Sequence, residues 1–472
     1  MNALSSLRTG LSSKLFHLKQ SPVARIIGFA AASVFAVGQL CAQVTLTTIH
    51  SFHGSDGSYP RAGLLRASDG YFYGTTSQGG TGVSGPAGTV FRIGSDGSFT
   101  NLISFAFQVT GDTPYGGVIE GSDGYLYGTT RGTGSYDGNI YRIARDGSSF
   151  TNLHTLLGAF FGSDGAHPQC NLLEAGDGYL YGTTVDNAAG GSGIVFRITP
   201  SGSIYTNLET IPGSSTAGLT LGGDGNIYGV TSAKVFRVTS SNTALATYTF
   251  NTTPDGNSPF AALVKGADGN LYGVATIGGA NGNGTVFRIT GGNSLLNLHS
   301  FDNTVDGYGP LGTLVIGSDG NFYGTTPNGG TNGAGTIFRI SPGGAFATLY
   351  SFGYSTVDGY SPDAALVQGS DGSFYGTTFS GGTNNLGTVF KFTVPLGSQA
   401  NQIPAFGLNG TNAVITITTI AGSKYQLQSS TSITSSWSNA GSPIVGIGGP
   451  QTVTNSSPVL PGGKFYRFQI TP

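Results

Sequence analysis

From residue 44 to about residue 400 the chain is written in short runs of alternating apolar and polar positions, broken by clusters of Gly, Asp, Ser and Pro. That period of two belongs to half-buried β-strands, and no stretch sustains the 3.6-residue period of a helix. The first unit predicts four strands at residues 61–66, 71–76, 88–93 and 99–105. The same quartet then recurs.

Each recurrence carries the core Asp-Gly-x-apolar-Tyr-Gly, starting at Asp69, Asp123, Asp177, Asp224, Asp268, Asp319 and Asp371, with spacings of 54, 54, 47, 44, 51 and 52 residues. Asp-Gly between two strands favours a tight hairpin, because glycine accepts a positive φ. After a loop follows a second signature, Gly88-Thr-Val-Phe-Arg-Ile in the first unit, repeated at Gly138, Gly193, Gly284, Gly335 and Gly387. Unit four keeps only its end, Val235 to Val238. A four-stranded unit of about 40 to 50 residues repeated seven times predicts a seven-bladed β-propeller.

The seventh unit lacks a fourth strand, since the chain runs into Val394-Pro395 after Phe392. Val44 to Phe52 matches the missing strand, so the N-terminal segment is expected to close the ring and remove two open sheet edges. Residues 395–402 read as a linker. Residues 403–472 carry another texture, with alternating strands at 413–419 and 425–430, then Trp437 and Phe465 to Ile470, and predict a small β-sandwich. The expected fold is therefore all-β, a seven-bladed propeller at residues 43–394 plus a C-terminal sandwich.

Residues 1–42 place Arg8, Lys14, Lys19 and Arg25 before an apolar run from Ile26 to Val37, then small residues. This is the form of a signal peptide, with cleavage expected near Ala42. The mature chain would hold 16 Lys plus Arg against 22 Asp plus Glu, and Cys170 alone among cysteines. A mildly acidic surface disfavours nucleic acid, and one cysteine excludes an internal disulfide or a zinc–cysteine cluster. No later apolar stretch approaches the ~20 residues of a membrane span.

The unit Asp319-Gly-Asn-Phe-Tyr-Gly-Thr-Thr-Pro-Asn-Gly-Gly, followed by Gly335-Thr-Ile-Phe-Arg-Ile, resembles the tandem repeat called GloVer, found in exported bacterial proteins with varied C-terminal anchors. The resemblance covers residues 44 to about 393. The tail is similar to a sandwich domain of such proteins, with Tyr425-Gln-Leu-Gln-Ser-Ser, Trp437 and Phe465-Tyr-Arg at matching places; no anchor is evident before Pro472. The resemblance implies export and a surface role, and no established activity.

In a propeller the loops leading into each blade share a face with the loops between strands two and three, and here both are long. The former carry Asp-Gly-x-x-Pro at Asp56, Asp164, Asp255, Asp306 and Asp358, with Tyr59, Tyr308 and Tyr360 inside them. These residues read either as sugar-stacking aromatics with carboxylates or as turn formers. Blade four shortens its loop to Ser232-Ala233, so a notch is expected there, walled by Asp186, Asn187, Asn281 and Asn283; His167 is read as an upper-loop histidine.

On the lower face, Arg92, Arg142, Arg197, Arg237, Arg288, Arg339 and Lys391 recur in third strands and are expected to pair with the hairpin residues Asp69, Asp123, Asp177, Asp224, Asp268, Asp319 and Asp371. His50, His154 and His299 share one repeat position with Ile103 and Tyr350 and read as blade packing. Metalloprotease, nucleophile-elbow and phosphate-loop motifs are absent, as is EF-hand spacing, so no catalytic residue, cofactor or metal is assigned. The expectation is an exported, non-catalytic propeller that binds an extracellular glycan or protein. The alternatives are a polysaccharide-active hydrolase or lyase, and a structural cell-surface component.

Overall fold

The computed structural model describes residues 44–394, apart from 83–86, 108–110, 133–136, 159–163, 188–190, 212, 240–242, 292 and 355–356, together with strands between residues 405 and 471. The expected leader, linker and Trp437 lie outside the described residues. Residues Gln43–Pro395 form one compact unit.

That unit is a seven-bladed propeller of four-stranded antiparallel sheets. In blade one the strands are Leu65–Arg66, Phe72–Thr76, Thr89–Ile93 and Phe99–Ser104, in that order from the inside outward. Blade seven is completed from the other end of the chain: Thr45–Ser51 pairs antiparallel with Thr388–Thr393, in a register running from Thr45 opposite Thr393 to Ser51 opposite Thr388. The closure expected from the sequence is the one observed.

The innermost strand of blade one pairs over only two residues, shorter than the alternating pattern predicts, because the preceding residues are engaged by the neighbouring blade. Thr75 Oγ1 donates to Gly116 O at 3.0 Å, Thr129 to Cys170 O at 3.1 Å, Thr183 to Ala217 O at 3.0 Å and Thr325 to Ala364 O at 2.9 Å. Thr377 to Ala62 O, at 3.5 Å, carries the series across the closure. Buried carbonyls near the axis are thus satisfied between blades rather than within them.

All seven outer strands carry a register shift against strand three, between Val90 and Phe91 in blade one and between Thr48 and His50 in the closing strand. The extra residue is Leu102 in blade one and Ile49 in the closing strand, and both pack against core clusters. A bulge increases local twist, which suits strands that lie furthest from the axis.

Aromatic rings fill the space between blades. Tyr375 stacks on Phe72 with centroids 4.2 Å apart, Tyr272 on Phe322 at 4.1 Å and Tyr323 on Phe374 at 4.2 Å. The glycine of the Tyr-Gly core makes room for this packing. A Cβ on Gly74 would lie 2.5 Å from Phe91 Cζ and 2.8 Å from Leu64 Cδ2.

The C-terminal strands form two antiparallel sheets. One orders Ala405–Asn409, Asn412–Thr418 and Pro450–Asn455, and the other centres on Lys424–Ser430, which pairs along its length with Phe465–Thr471.

Candidate functional site

A residue that recurs in every blade serves the ring, whereas one that breaks the repeat is free to serve a site. The hairpin aspartates belong to the ring. In all seven blades one carboxylate oxygen accepts the backbone N–H two residues on, at 3.1 to 3.2 Å. The other accepts the hydroxyl of the core tyrosine, at 2.6 to 2.9 Å. Burial and the adjacent carboxylate push the Tyr73 and Tyr127 hydroxyls above the ordinary phenol range.

The strand-three cations stand beside these pairs. Lys391 Nζ lies 2.8 Å from Asp371 Oδ2. In the first three blades the arginine instead lies over the hairpin tyrosine, Arg92 at 4.7 Å from the Tyr71 ring, Arg142 at 4.8 Å from Tyr125 and Arg197 at 4.4 Å from Tyr179. The sequence pairs each of these cations with its hairpin aspartate; among the described residues Lys391 makes that ion pair in blade seven, while in all seven blades the core tyrosine hydroxyl takes one carboxylate oxygen.

The upper-loop aspartates are engaged in the scaffold too. Asp56 Oδ2 is bonded to His50 Nε2 at 2.9 Å, Asp164 to His154 at 3.0 Å, Asp306 to His299 at 2.9 Å and Asp358 to the Tyr350 hydroxyl at 2.7 Å. Asp255 accepts from Tyr248 in the same way. The histidine rings also stack on the next outer strand, His50 on Phe99 at 4.0 Å, His154 on Tyr205 at 4.0 Å and His299 on Phe346 at 3.6 Å. Burial holds His50 and His299 below the usual imidazole range, against the raising effect of their aspartates.

Several expected ligand residues likewise carry structural duties. Tyr59 and His167 precede loop prolines with φ of 55° and 57°, and Thr113, Ser258 and Ser361 share that left-handed geometry. Their N–H groups donate to the preceding blade: Tyr59 to Leu386 O at 2.8 Å, His167 to Asp137 O at 2.6 Å, Ser361 to Ala334 O at 3.0 Å. Asn283 O accepts from Gly309 in the same stitch, at 3.0 Å, and Asn281 Nδ2 donates to Phe301 O at 3.1 Å. His167 and Asp186 are brought together, Nδ1 to Oδ2 at 3.1 Å, with Asp137 Oδ1 at 3.8 Å from Nε2. Asn187 lies one residue beyond Asp186, partly exposed.

Two features of the upper face fall outside the repeat. The first is a shallow cavity of about 340 Å³ at blade seven, lined by Tyr354, Tyr360 and the loop Gly381 to Asn385. Tyr354 is 76% exposed, and its ring centroid lies 5.2 Å from that of Tyr360. The Tyr360 hydroxyl donates to Asn385 Oδ1 at 2.7 Å, which also accepts Gly381 N–H at 3.1 Å. An aromatic face is thereby held beside amide groups. Tyr308, in the corresponding loop of blade six, is exposed as well.

The second is a charged cluster across the closure. Arg61 lies 4.3 Å from the Phe379 ring centroid and 5.1 Å from that of Tyr115, while Arg131 approaches Tyr115 at 5.9 Å. Tyr59 packs on Phe379 at 5.0 Å. Asp363 Oδ2 stands 4.0 Å from Arg61 Nη1, and its Oδ1 is buried without a hydrogen-bond partner. Burial pushes the Asp363 carboxyl up to about 7, with Arg61 opposing.

Tyr354, Arg61, Tyr115, Arg131, Phe379 and Asp363 were not singled out from sequence. Arg61, Tyr115 and Asp363 each directly follow a loop proline, where the residue type changes from blade to blade. That variability was the available signal.

The sequence profile described as the Gloeobacter/Verrucomicrobia repeat matches residues 33–159 and 232–438. No curated protein matches the chain. Among solved structures, the chain is similar to one named as the extracellular domain of a hybrid two-component system from B. thetaiotaomicron, at 13% identity and a TM-score of 0.52, over 88% of this chain and 55% of that one. It is also similar to PorZ, a surface component of the type-IX secretion system of Porphyromonas gingivalis (12% identity, TM-score 0.47, 89% and 60% covered), and to a gluconolactonase from Xanthomonas campestris (12%, 0.39, 76% and 93%). The chain thus spans about half the length of the first of these. At such identities the first likeness bears on the propeller fold alone. No helix among the described residues is long and apolar enough to cross a membrane.

Proposed function

Since the chain belongs to the Gloeobacter/Verrucomicrobia repeat family, we propose that it is an exported binding module whose upper-face loops recognise an extracellular glycan or protein. The observation that carries this reading is the blade-seven cavity, where Tyr354 stands exposed against Tyr360 above the Gly381 to Asn385 loop. A flat aromatic face beside amide groups matches the alternation of apolar C–H faces and hydroxyls on a sugar ring. The Arg61, Arg131 and Tyr115 cluster extends this surface toward blade two. The notch beside blade four, with Asp186, Asn187, Asn281 and Asn283, is proposed as part of it.

Export and a cell-surface or secreted location belong to the same proposal. They rest on the apolar segment from Ile26 to Val37 following four cations, and on the family's expected character.

A second reading, a polysaccharide-active hydrolase or lyase, is favoured by one observation. Asp363 is a carboxyl held near neutrality, which is what a general acid requires. Applying the purified chain to a glycan array, then assaying every hit for products, separates the two. Retained glycans without cleavage support the binding module, cleavage abolished by Asp363→Asn supports the enzyme, and no retained glycan directs the module reading to a protein partner.

A further inference from the structure

The closing strand ends in a group that sets blade one apart. His50 Nε2 and His53 Nδ1 both converge on Asp56 Oδ2, at 2.9 and 3.2 Å. All three atoms lie within 4.8 Å of one another. The second carboxylate oxygen is held by the His53 backbone N–H at 2.7 Å, which fixes the direction in which Oδ2 points. The His50 ring is fixed in turn, stacked on Phe99 and edge-on to Phe52 at 5.0 Å.

The other blades serve as internal controls. The pairs His154–Asp164 and His299–Asp306 reproduce the His50–Asp56 bond. Leu157 and Asp302 occupy the position three residues after their histidines. The repeat therefore accounts for His50 and Asp56 but not for His53, which brings a second ring nitrogen to the same carboxylate oxygen. Its side chain is 60% exposed, against 13% for His50, so the group opens to solvent on one side.

We propose that His50, His53 and Asp56 form a Zn²⁺ site at the closure of the propeller. Two imidazoles and a carboxylate are a frequent zinc set, with metal–ligand bonds of about 2.0 to 2.2 Å. A tetrahedron with such bonds has edges of about 3.3 to 3.6 Å; the 2.9 and 3.2 Å contacts lie a few tenths of an ångström below that, and the two ring nitrogens lie within 4.8 Å of each other. Each neutral histidine would carry its hydrogen on the nitrogen facing away from the metal. The solvent side leaves the fourth position to water or to a donor atom of a ligand. Because His50 lies on the strand that completes blade seven and Asp56 on the loop that opens blade one, the ion would fasten the closing strand.

The test uses the mature chain, tag removed, stripped of metal and then titrated with Co²⁺ and Zn²⁺. The expected result is about one ion per chain, visible d–d absorption with Co²⁺ that Zn²⁺ displaces, and a rise in Tm with Zn²⁺ of ~2 to 4 °C. The His53→Ala variant, which alters an exposed side chain, should keep the metal-free Tm and lose all three responses. Absence of Co²⁺ absorption in the native chain, or equal binding by the variant, would overturn the proposal.

Discussion

The hydroxyl of Tyr73 donates to Asp69 Oδ2 at 2.7 Å, and the same bond closes the hairpin of every other blade. The motif Asp-Gly-x-x-Tyr is thus one device: aspartate shapes the turn through the backbone N–H two residues on, and tyrosine takes its second oxygen. Tyr73→Phe removes the hydroxyl and keeps the ring. It should cost about 1 kcal/mol and lower Tm by ~2 °C, read by calorimetry. An unchanged Tm would show that the bond is neutral.

Removing residues 44–52 deletes the strand that pairs with Thr388–Thr393. It also exposes Phe390 and Phe392, both buried beneath it. The truncated chain should lose the cooperative transition of the ring and associate through the freed edge. Calorimetry and light scattering check this, and a monomer with native Tm would contradict it.

The ring and its closure were legible because the repeat writes its turns with the same residues each time. The upper loops were harder to read, since one structural role is filled by different chemistries. His50, Tyr248, His299 and Tyr350 all bond the following loop aspartate, yet they share neither shape nor charge. The Arg61–Asp363 approach was hidden for another reason. It exists only once the closing strand brings the two ends of the propeller together.

Asp363 makes stability depend on pH in an unusual direction. Its folded carboxyl sits at about 7, whereas the unfolded one ionises near 3.8. Between those values the folded state holds a proton that the unfolded state releases, so stability falls as pH rises from ~4 to ~7. The full effect is at most about 4 kcal/mol. Asp363→Asn should remove this slope, and its Tm relative to the native chain should climb across that window and level off above it. Parallel Tm-versus-pH curves for the two proteins would contradict the assignment.

His299 works in the opposite direction. Its folded pKa lies below the unfolded value of 6.5. Its contribution is therefore complete above ~6.5 and is lost as pH falls through 6.5 toward the folded value. His299→Tyr, which copies the Tyr350–Asp358 pair, should keep the bond to Asp306 and reduce the loss of Tm on acidification from pH 7 to 5. An unchanged acid sensitivity would place its origin elsewhere.

The most direct measurement of the central claim compares the native chain with Tyr354→Ala and Tyr360→Ala on the same glycan and surface-protein panel, with Tm matched. If the blade-seven cavity is the recognition surface, each variant should bind its ligands about tenfold more weakly, equivalent to about 1.4 kcal/mol, while the fold is unchanged. Native affinity in both variants would contradict the account and move recognition away from blade seven.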